Sequence, residues 1–225
     1  GFNVETAESN AFQSRDGQLS AVQMRDLAMA EFDGFVGKLR EAGVNVIVAE
    51  DSIIPVKPDA VFPNNWVSFH EDGTVVTWPM FAENRRLERQ ESIIETVKNA
   101  GFSIKKRVHF EGNEADEVFL EGTGSIIFDH ENQIAYACIS PRTNAQLLEG
   151  FCDKTGYSPI IFRATDATGQ EIYHTNVMMA MGETFVVICL DSVADLDERH
   201  QLTEVFESTG KEIVEITLEQ MGKFA

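Results

Sequence analysis

Basic residues are scarce in this sequence. Its 225 residues include 18 Lys and Arg against 37 Asp and Glu, which gives a formal net charge of −19 at pH 7. Proteins that bind nucleic acid or an anionic membrane surface need a basic footprint, so this charge balance argues against both kinds of partner.

Long apolar runs are also missing. No stretch approaches the roughly 18 consecutive apolar residues that a membrane-spanning helix requires. The first residues lack both the basic region and the apolar region of a signal peptide. The chain starts with Gly1 rather than Met, so we expect the natural protein to begin upstream of it.

Cysteine is rare as well, with three in the chain: Cys138, Cys152 and Cys189. A small, odd number argues against a disulfide-stapled secreted protein and favours a reducing, cytoplasmic location. None of them has zinc-finger spacing, so the sequence does not indicate a metal site. Each lies in an apolar stretch, and we predict that all three are buried rather than nucleophilic.

The sequence does contain a repeat. Four predicted helices end at Gly43, Gly101, Gly156 and Gly210, with spacings of 58, 55 and 54 residues. Glycine takes the left-handed conformation of a helix C-terminus without steric strain. After each glycine comes a segment that predicts a short strand: residues 44–50, 102–110, 158–164 and 211–217.

A predicted hairpin precedes each of the last three helices, at residues 66–78, 125–139 and 177–190. The repeating module is therefore strand, strand, helix, strand, and we expect such modules to form a ring of small mixed sheets with helices outside. The predicted modules of this single α/β domain are 1–55, 56–112, 113–166 and 167–217, with the start of a fifth at 218–225.

A polar cluster stands just before each hairpin. Asn65 in "FPNNW", Glu121 in "LEGTG" and His174 in "YHTN" have nearly the same place in the repeat, 56 and 53 residues apart. Equivalent places in a ring converge on its axis, so we expect these side chains to face one another. Histidine can transfer a proton near neutral pH, glutamate can hold a cation, and asparagine can orient an amide, ureido or guanidino group.

Four motifs, "DAVFPNNW", "LEGTGS", "SPRTN" and "YHTNVMM", resemble the guanidino-group-modifying, or pentein, superfamily. It includes arginine deiminases, amidinotransferases and dimethylarginine dimethylaminohydrolases, and the similarity runs along essentially the whole chain. The chain is most similar to the bacterial amidinotransferase-like group named citrulline-utilisation hydrolases. The resemblance implies a five-bladed α/β-propeller of which this chain lacks the last module, and it implies no organic cofactor or metal.

The resemblance also implies a Cys–His–Glu mechanism on the central carbon of an arginine-like substrate. His174 matches the general acid and base, and Glu121 matches its carboxylate partner. The nucleophilic cysteine belongs to the fifth module, so we expect it beyond residue 225. Hydrolysis is slightly favoured over amidino transfer.

Further positions match substrate-binding residues of the superfamily. Arg142, with Arg85 or Arg86 as a second cation, matches the arginines that bind the substrate carboxylate. Asn64, Asn65 and Asn176 match the residues around the planar guanidino group. Asn65 stands where relatives carry aspartate, which leaves arginine, another guanidine or a neutral ureido amino acid open as the substrate.

Each of these residues also has a plainer interpretation. The two asparagines after Pro63 can satisfy a turn, His174 can cap a strand, and Arg85 and Arg86 can form a solvated helix face. The acidic run at residues 111–117 is either a solvated loop or a lid beside Glu121. The alternative function is a non-catalytic propeller that binds another protein, and open sheet edges would favour homo-oligomers.

Overall fold

The computed structural model describes residues 20–52 and 54–223. Helix α1, Ala21–Glu41, begins with a capping box in which Ser20 and Gln23 exchange side-chain and backbone hydrogen bonds. The start of the first predicted module, residues 1–19, and the last two residues of the chain lie outside the described part.

Three sheets repeat one topology, in which an antiparallel hairpin is followed by a third strand parallel to the second. The first sheet contains β1 Val67–Phe69, β2 Thr74–Thr77 and β3 Lys106–His109. The second contains β4 Ile127–Asp129, β5 Ile134–Cys138 and β6 Ser158–Phe162. The third contains β7 Met179–Met181, β8 Phe185–Ile188 and β9 Glu212–Glu215.

A parallel third strand needs a crossover, and each crossover contains a helix. The other helices are short. In chain order they are α2 Glu83–Arg86, α3 Glu91–Asn99, α4 Gly122–Ser125, α5 Ala145–Thr155, α6 Leu196–Ser208 and α7 Leu218–Met221.

The predicted hairpins and the strands after the last three helix-ending glycines are confirmed. All four glycines adopt the left-handed conformation, with φ of 84° at Gly43, 113° at Gly101, 82° at Gly156 and 68° at Gly210. The chain can therefore reverse at the end of each helix without strain.

The strand predicted at residues 44–50 is wrong. That segment is irregular, and its Val44, Ile47 and Val48 are exposed. A strand needs the backbone of a neighbour, and no described strand pairs with this one. Few apolar side chains of helix α1 are covered by other residues. Leu27 and Phe35 are exposed, whereas Val36 is buried.

The single helix predicted to end at Gly101 is divided in two. Helix α2 ends at Arg86 and α3 starts at Glu91. Between them Glu88 is buried against Arg85, and the Arg89 guanidinium reaches the carbonyl of Trp78. The Arg89 contact is a tertiary one, and such contacts can override the helical preference of the local sequence.

The core lies between successive modules. Trp78, at the end of β2, packs against Phe151 of α5 with ring centroids 5.0 Å apart, and Tyr136 of β5 packs against Phe206 of α6 at 5.3 Å. Each of these two helices therefore closes the sheet of its own module against the sheet before it. The closure of the modules into a five-bladed ring stays a prediction.

Over residues 20–52 and 54–223, no helix combines the length and the apolar character that crossing a bilayer would demand. The three cysteines are buried as predicted. Burial raises the pKa of the Cys138 thiol to about 12 and that of Cys152 to about 11, and it also raises the pKa of Cys189.

Candidate active site

The three polar clusters of the repeat meet around helix α4. This short helix contacts the 3₁₀ turns Pro63–Asn65 and Thr175–Val177, which precede the first and third hairpins. Its own N-terminal neighbour is Glu121. The structure thus brings Asn65, Glu121 and His174 into one buried cluster.

Glu121 and His174 form the shortest polar contact of the cluster. The Nε2 of His174 lies 2.7 Å from Oε2 of Glu121, and the backbone N–H of Phe81 donates to Oε1 at 2.9 Å. A carboxylate can only accept, so Nε2 must carry the proton of the neutral ring. Nδ1 is then the nitrogen with a lone pair, and proton exchange with a ligand would take place there.

Burial and pairing act in opposite directions on Glu121. Complete burial raises the pKa of the carboxyl, but hydrogen bonding and attraction from His174, together with Arg142 and Arg85, lower the pKa to about 2. The carboxylate is therefore ionised at neutral pH. In this state it can accept a hydrogen bond from the histidine and stabilise a positive charge on the ring, but it has no proton to donate.

Burial has the largest effect on the pKa of His174, and it lowers that pKa. Attraction to Glu121 raises the pKa and repulsion from Arg142 and Arg85 lowers it, and the net pKa is below the ordinary value of 6.5. The ring is mostly neutral near pH 7 and has a charged partner ready to stabilise the imidazolium. This is the condition in which a histidine can accept a proton and return it.

Asn65 lies against the face of this histidine. Its Nδ2 is 3.5 Å from Nδ1 and 3.4 Å from Nε2 of His174, and the residue is 5% exposed. Asn64 is half-buried, and its carbonyl accepts a 3.5 Å hydrogen bond from the hydroxyl of Thr123. The turn after Pro63 thus brings the side chain of Asn65 to the cluster and the backbone of Asn64 to helix α4.

Two glycines allow this close approach. A Cβ on Gly124 would lie 2.5 Å from Nδ2 of Asn65 and 2.8 Å from Nδ1 of His174. Gly122 has φ of +45°, and a Cβ there would collide with the carbonyl oxygen of Asn64. Both positions need glycine because backbone, asparagine and histidine share one small space.

Arg142 is the buried cation of the site. Its Nη1 is 3.5 Å from Oε2 of Glu121, and its guanidinium carbon lies 5.0 Å from the ring centroid of Tyr173 and 6.0 Å from that of Phe81. The side chain is 1% exposed. Aromatic faces and a carboxylate hold the guanidinium in a defined orientation.

The structure gives Arg85 mainly internal contacts. Its Nε and Nη2 donate to the two carboxylate oxygens of Glu88 at 2.9 Å, and Nη2 also reaches the carbonyls of Asp59 and Phe62 at 3.3 Å. It therefore fastens the loop that leads to Asn64 and Asn65. Its predicted contact with a substrate stays a prediction.

Two other predicted positions lie at the margin of the cluster. Asn176 is exposed in the turn Thr175–Val177, two residues after His174. Arg86 is partly exposed and donates to the carbonyls of Met80 and Phe81. Neither is part of the Asn65–Glu121–His174 contact.

Sequence reasoning missed two groups that hold Glu121. One is the backbone N–H of Phe81, for which no residue type gives a signal. The other is Ser125, whose buried hydroxyl accepts from the Glu121 N–H and donates to the Arg142 carbonyl, both at 3.0 Å. The serine of "EGTGS" was visible, but its partner Arg142 is distant along the chain.

A mostly apolar cavity of about 590 Å³ opens beside Asn64 and Thr123, between α1, α3 and β1. Glu121, His174 and Arg142 do not line it, so it is not the place of the chemistry described above. Among the described residues, no group of three or more His, Cys, Asp and Glu side chains is placed to hold a metal ion.

Comparison with known protein families gives a match along the whole chain. Residues 1–225 match the family model described as "N,N dimethylarginine dimethylhydrolase, eukaryotic". The chain belongs to this family. The resemblance to the guanidino-group-modifying, or pentein, superfamily is thereby confirmed. Among curated protein sequences, none matches this member of the family.

Solved structures show the same mixed α/β fold with small sheets. ArgZ, a cyanobacterial arginine dihydrolase in its apo form, superposes with a TM-score of 0.67 at 17% identity, covering 90% of this chain and 30% of ArgZ. Unliganded AgrE gives 0.67 at 17% identity, covering 89% and 27%. A dimethylarginine dimethylaminohydrolase variant in adduct with S-methyl-L-thiocitrulline gives 0.63 at 20% identity, covering 87% and 68%.

This family member spans less than a third of the length of ArgZ and of AgrE. At these identities the likeness concerns the fold.

Proposed function

We propose that this chain supplies the histidine–glutamate part of the active site of a hydrolase that acts on the guanidino or ureido carbon of an arginine-like small molecule. The observation that carries the proposal is the buried 2.7 Å contact between Glu121 and His174. It is supported by the family match and by the fold shared with an arginine dihydrolase and a dimethylarginine dimethylaminohydrolase.

The proposed reaction begins with a cysteine thiolate that adds to the central carbon of the substrate. All three cysteines of this chain are buried and have raised pKa values, so we infer that the nucleophile lies outside these 225 residues. Protonated His174, having taken the thiol proton, gives it to the leaving nitrogen. The C–N bond breaks and an amine departs, which leaves a thiouronium intermediate from a guanidine or a thiocarbamate from a ureido compound.

Water completes the cycle. Neutral His174 takes a proton from water, the hydroxide adds to the same carbon, and the C–S bond breaks to restore the thiolate. The new hydroxyl group loses its proton to solvent, which gives the C=O group of the product. Glu121 stabilises the imidazolium in both half-reactions. An amine in place of water would make the enzyme an amidinotransferase.

The remaining groups fit an amino-acid substrate. Arg142 can bind a carboxylate through paired N–H groups, and the amide of Asn65 can hydrogen-bond a planar guanidino or ureido group beside His174. Since Asn65 is neutral, the site offers this planar group no negative charge at that position. A neutral ureido compound therefore remains as suitable a ligand as a cationic guanidine.

The test uses the full-length protein with arginine, an Nω-methylated arginine and a ureido amino acid in ¹⁸O-labelled water. Mass spectrometry would detect the amine released and any ¹⁸O in the ureido product. We expect labelled product from the wild type, its loss in His174→Gln, and its retention in His200→Gln, whose histidine is exposed on α6. An unlabelled product formed only with an acceptor amine would indicate transfer.

The alternative is a non-catalytic protein-binding module. Two negative results together would overturn the hydrolase proposal. The full-length protein would convert no guanidino or ureido compound, and a chloroacetamidine probe would label none of its cysteines. The binding module would then be the better account of a propeller-like fold without reactive thiol.

A further inference from the structure

The acidic run at residues 111–117 is neither a free lid nor simply a solvated loop. It begins with the 3₁₀ helix Glu111–Asp116, and the Glu114 side chain in it is 13% exposed. Its Oε1 accepts the Met80 N–H at 2.8 Å, and its two oxygens accept Arg89 Nη1 at 2.6 Å and Nη2 at 2.9 Å. Glu114 thus holds a backbone segment and a cation at once.

The segment concerned is Trp78–Phe81, which follows β2. Its first two residues have backbone partners, since the Trp78 N–H donates to the Trp66 carbonyl at 2.9 Å and the Pro79 carbonyl accepts from the Leu120 N–H at 3.4 Å. Side chains bind its other backbone groups. Arg89 donates to the Trp78 carbonyl at 3.0 Å, and Arg86 donates to the carbonyls of Met80 at 3.0 Å and Phe81 at 3.3 Å. We call Glu114, Arg86 and Arg89 the clamp.

One hydrogen bond joins the clamp to the candidate active site. The N–H next along the chain from Met80 is that of Phe81, which donates to Oε1 of Glu121 at 2.9 Å. This bond fixes the rotation of the Glu121 carboxylate and therefore the direction in which Oε2 meets His174. The position of the Phe81 N–H depends on the position of the segment Trp78–Phe81.

We propose that Glu114 is a positioning residue for the Glu121–His174 pair and acts through the backbone of Met80 and Phe81. Its importance for catalysis rests on the proposed function, whereas its effect on His174 does not. The plainer alternative is that the clamp adds stability or charge near the site without setting its geometry.

The test is the pKa of His174, followed by NMR of the imidazole carbons in the full-length protein and assigned by the signal lost in His174→Gln. The charged groups that act on this ring are Glu121, Arg142 and Arg85. If Glu121 loses its orientation, it stabilises the imidazolium less well, and the pKa of His174 falls.

Two variants with opposite charge changes separate geometry from charge. Glu114→Gln removes a negative charge and Arg89→Gln removes a positive one. Positioning predicts that both lower the pKa of His174 by about 0.5 to 1. A purely electrostatic effect predicts a fall in the first variant and a rise in the second, so a rise or no change in Arg89→Gln would overturn the proposal.

Controls with the same charge changes are Glu117→Gln in the same loop and Arg163→Gln, both at exposed residues. A comparable shift in either control would also overturn the proposal. If Glu114→Gln does not fold, Glu114→Asp replaces it, since this change keeps the charge but shortens the reach. Positioning predicts a lower pKa of His174 in that variant, and an unchanged pKa contradicts positioning.

Turnover distinguishes the two proposals. We expect Glu114→Gln to lower kcat more than it raises KM, because the substrate contacts are retained. If His174 titrates as expected while no substrate reacts, the proposed function fails and the positioning role stands. If substrate reacts while His174 is unaffected by the clamp variants, the positioning role fails alone.

Discussion

Gly124 and His174 approach so closely that position 124 has no room for a side chain. A Cβ there would lie 2.8 Å from Nδ1 and 2.9 Å from Cε1 of His174. Nδ1 is the ring nitrogen that is not bound to Glu121. The glycine therefore lets helix α4 pack directly against this edge of the imidazole.

Gly124→Ala should impair the site more than the fold. The added methyl group must displace Asn65 or His174, and overpacking of this kind costs about 1–3 kcal/mol of stability. We expect a loss of activity in an assay with saturating substrate, with the thermal unfolding transition retained. If Gly124→Ala kept the wild-type kcat, position 124 would not be crowded as described.

The matched control is Gly150→Ala. Gly150 lies inside α5, and a Cβ there meets no atom within 4 Å. We expect it to keep full activity and to raise the free energy of unfolding by about 0.5–1 kcal/mol, because alanine restricts the unfolded chain and favours the helix.

Glu121→Gln should abolish most of the activity. Glutamine cannot stabilise the imidazolium as a charged carboxylate does, so we expect kcat to fall by about 10²- to 10⁴-fold. Steady-state kinetics measure this, with Glu117→Gln as the exposed control. A variant that keeps near wild-type kcat would remove Glu121 from the mechanism.

The Glu121–His174 pair should also make the free energy of unfolding depend on pH. Glu121 has a pKa of about 2 in the fold against an ordinary 4.5, so it binds fewer protons folded than unfolded. Its stabilisation, on the order of 3 kcal/mol, is present above pH 4.5 and is lost as pH falls toward 2. The lowered pKa of His174 acts in the same direction, since stability is lost as pH falls below 6.5.

Urea unfolding between pH 7 and pH 3 would measure this dependence. We expect the free energy of unfolding to fall with acidification, and to fall less steeply below pH 4.5 in Glu121→Gln. Equal slopes in the two proteins would contradict the low pKa of Glu121.

Asn65→Asp should change the preferred substrate. A carboxylate beside His174 would add a charge-assisted hydrogen bond to a guanidinium but not to a neutral ureido group. We expect the ratio of kcat/KM for cationic over neutral substrates to rise by about tenfold. Asn99→Asp, an exposed change on α3, should leave that ratio unchanged. A ratio unaltered in Asn65→Asp would place Asn65 away from the planar group.

A buried ion pair joins the last two sheets. Nζ of Lys211 lies 3.1 Å from Oδ2 of Asp129, and both side chains are 2% exposed. Removing one partner leaves a buried charge, so Lys211→Met should lower the free energy of unfolding by about 3–5 kcal/mol. In Lys223→Met, which breaks an exposed pair, the change should stay below about 1 kcal/mol. Similar values for both variants would contradict the interior position of Lys211.

Much of the fold could be predicted from local patterns. The helix-ending glycines, the hairpins and the alternation of strand and helix are short-range signals, and they repeat, so each copy supports the others. The strand expected at residues 44–50 failed because its apolar residues meet no partner strand in the described chain. The break between α2 and α3 was hidden because Arg89 contacts the Trp78 carbonyl and the Glu114 carboxylate, which are distant along the chain, and no local pattern indicates such contacts.

The sequence by itself determined which residue types stand at equivalent places of the repeat, and these include Glu121 and His174. Only the tertiary structure decided how they meet: that Nε2 faces the carboxylate, that the Phe81 N–H holds its other oxygen, and that Glu114 holds the segment behind it. The physical reason is that hydrogen-bond direction depends on atoms brought together from distant segments, and a backbone N–H is the same group in nearly every residue.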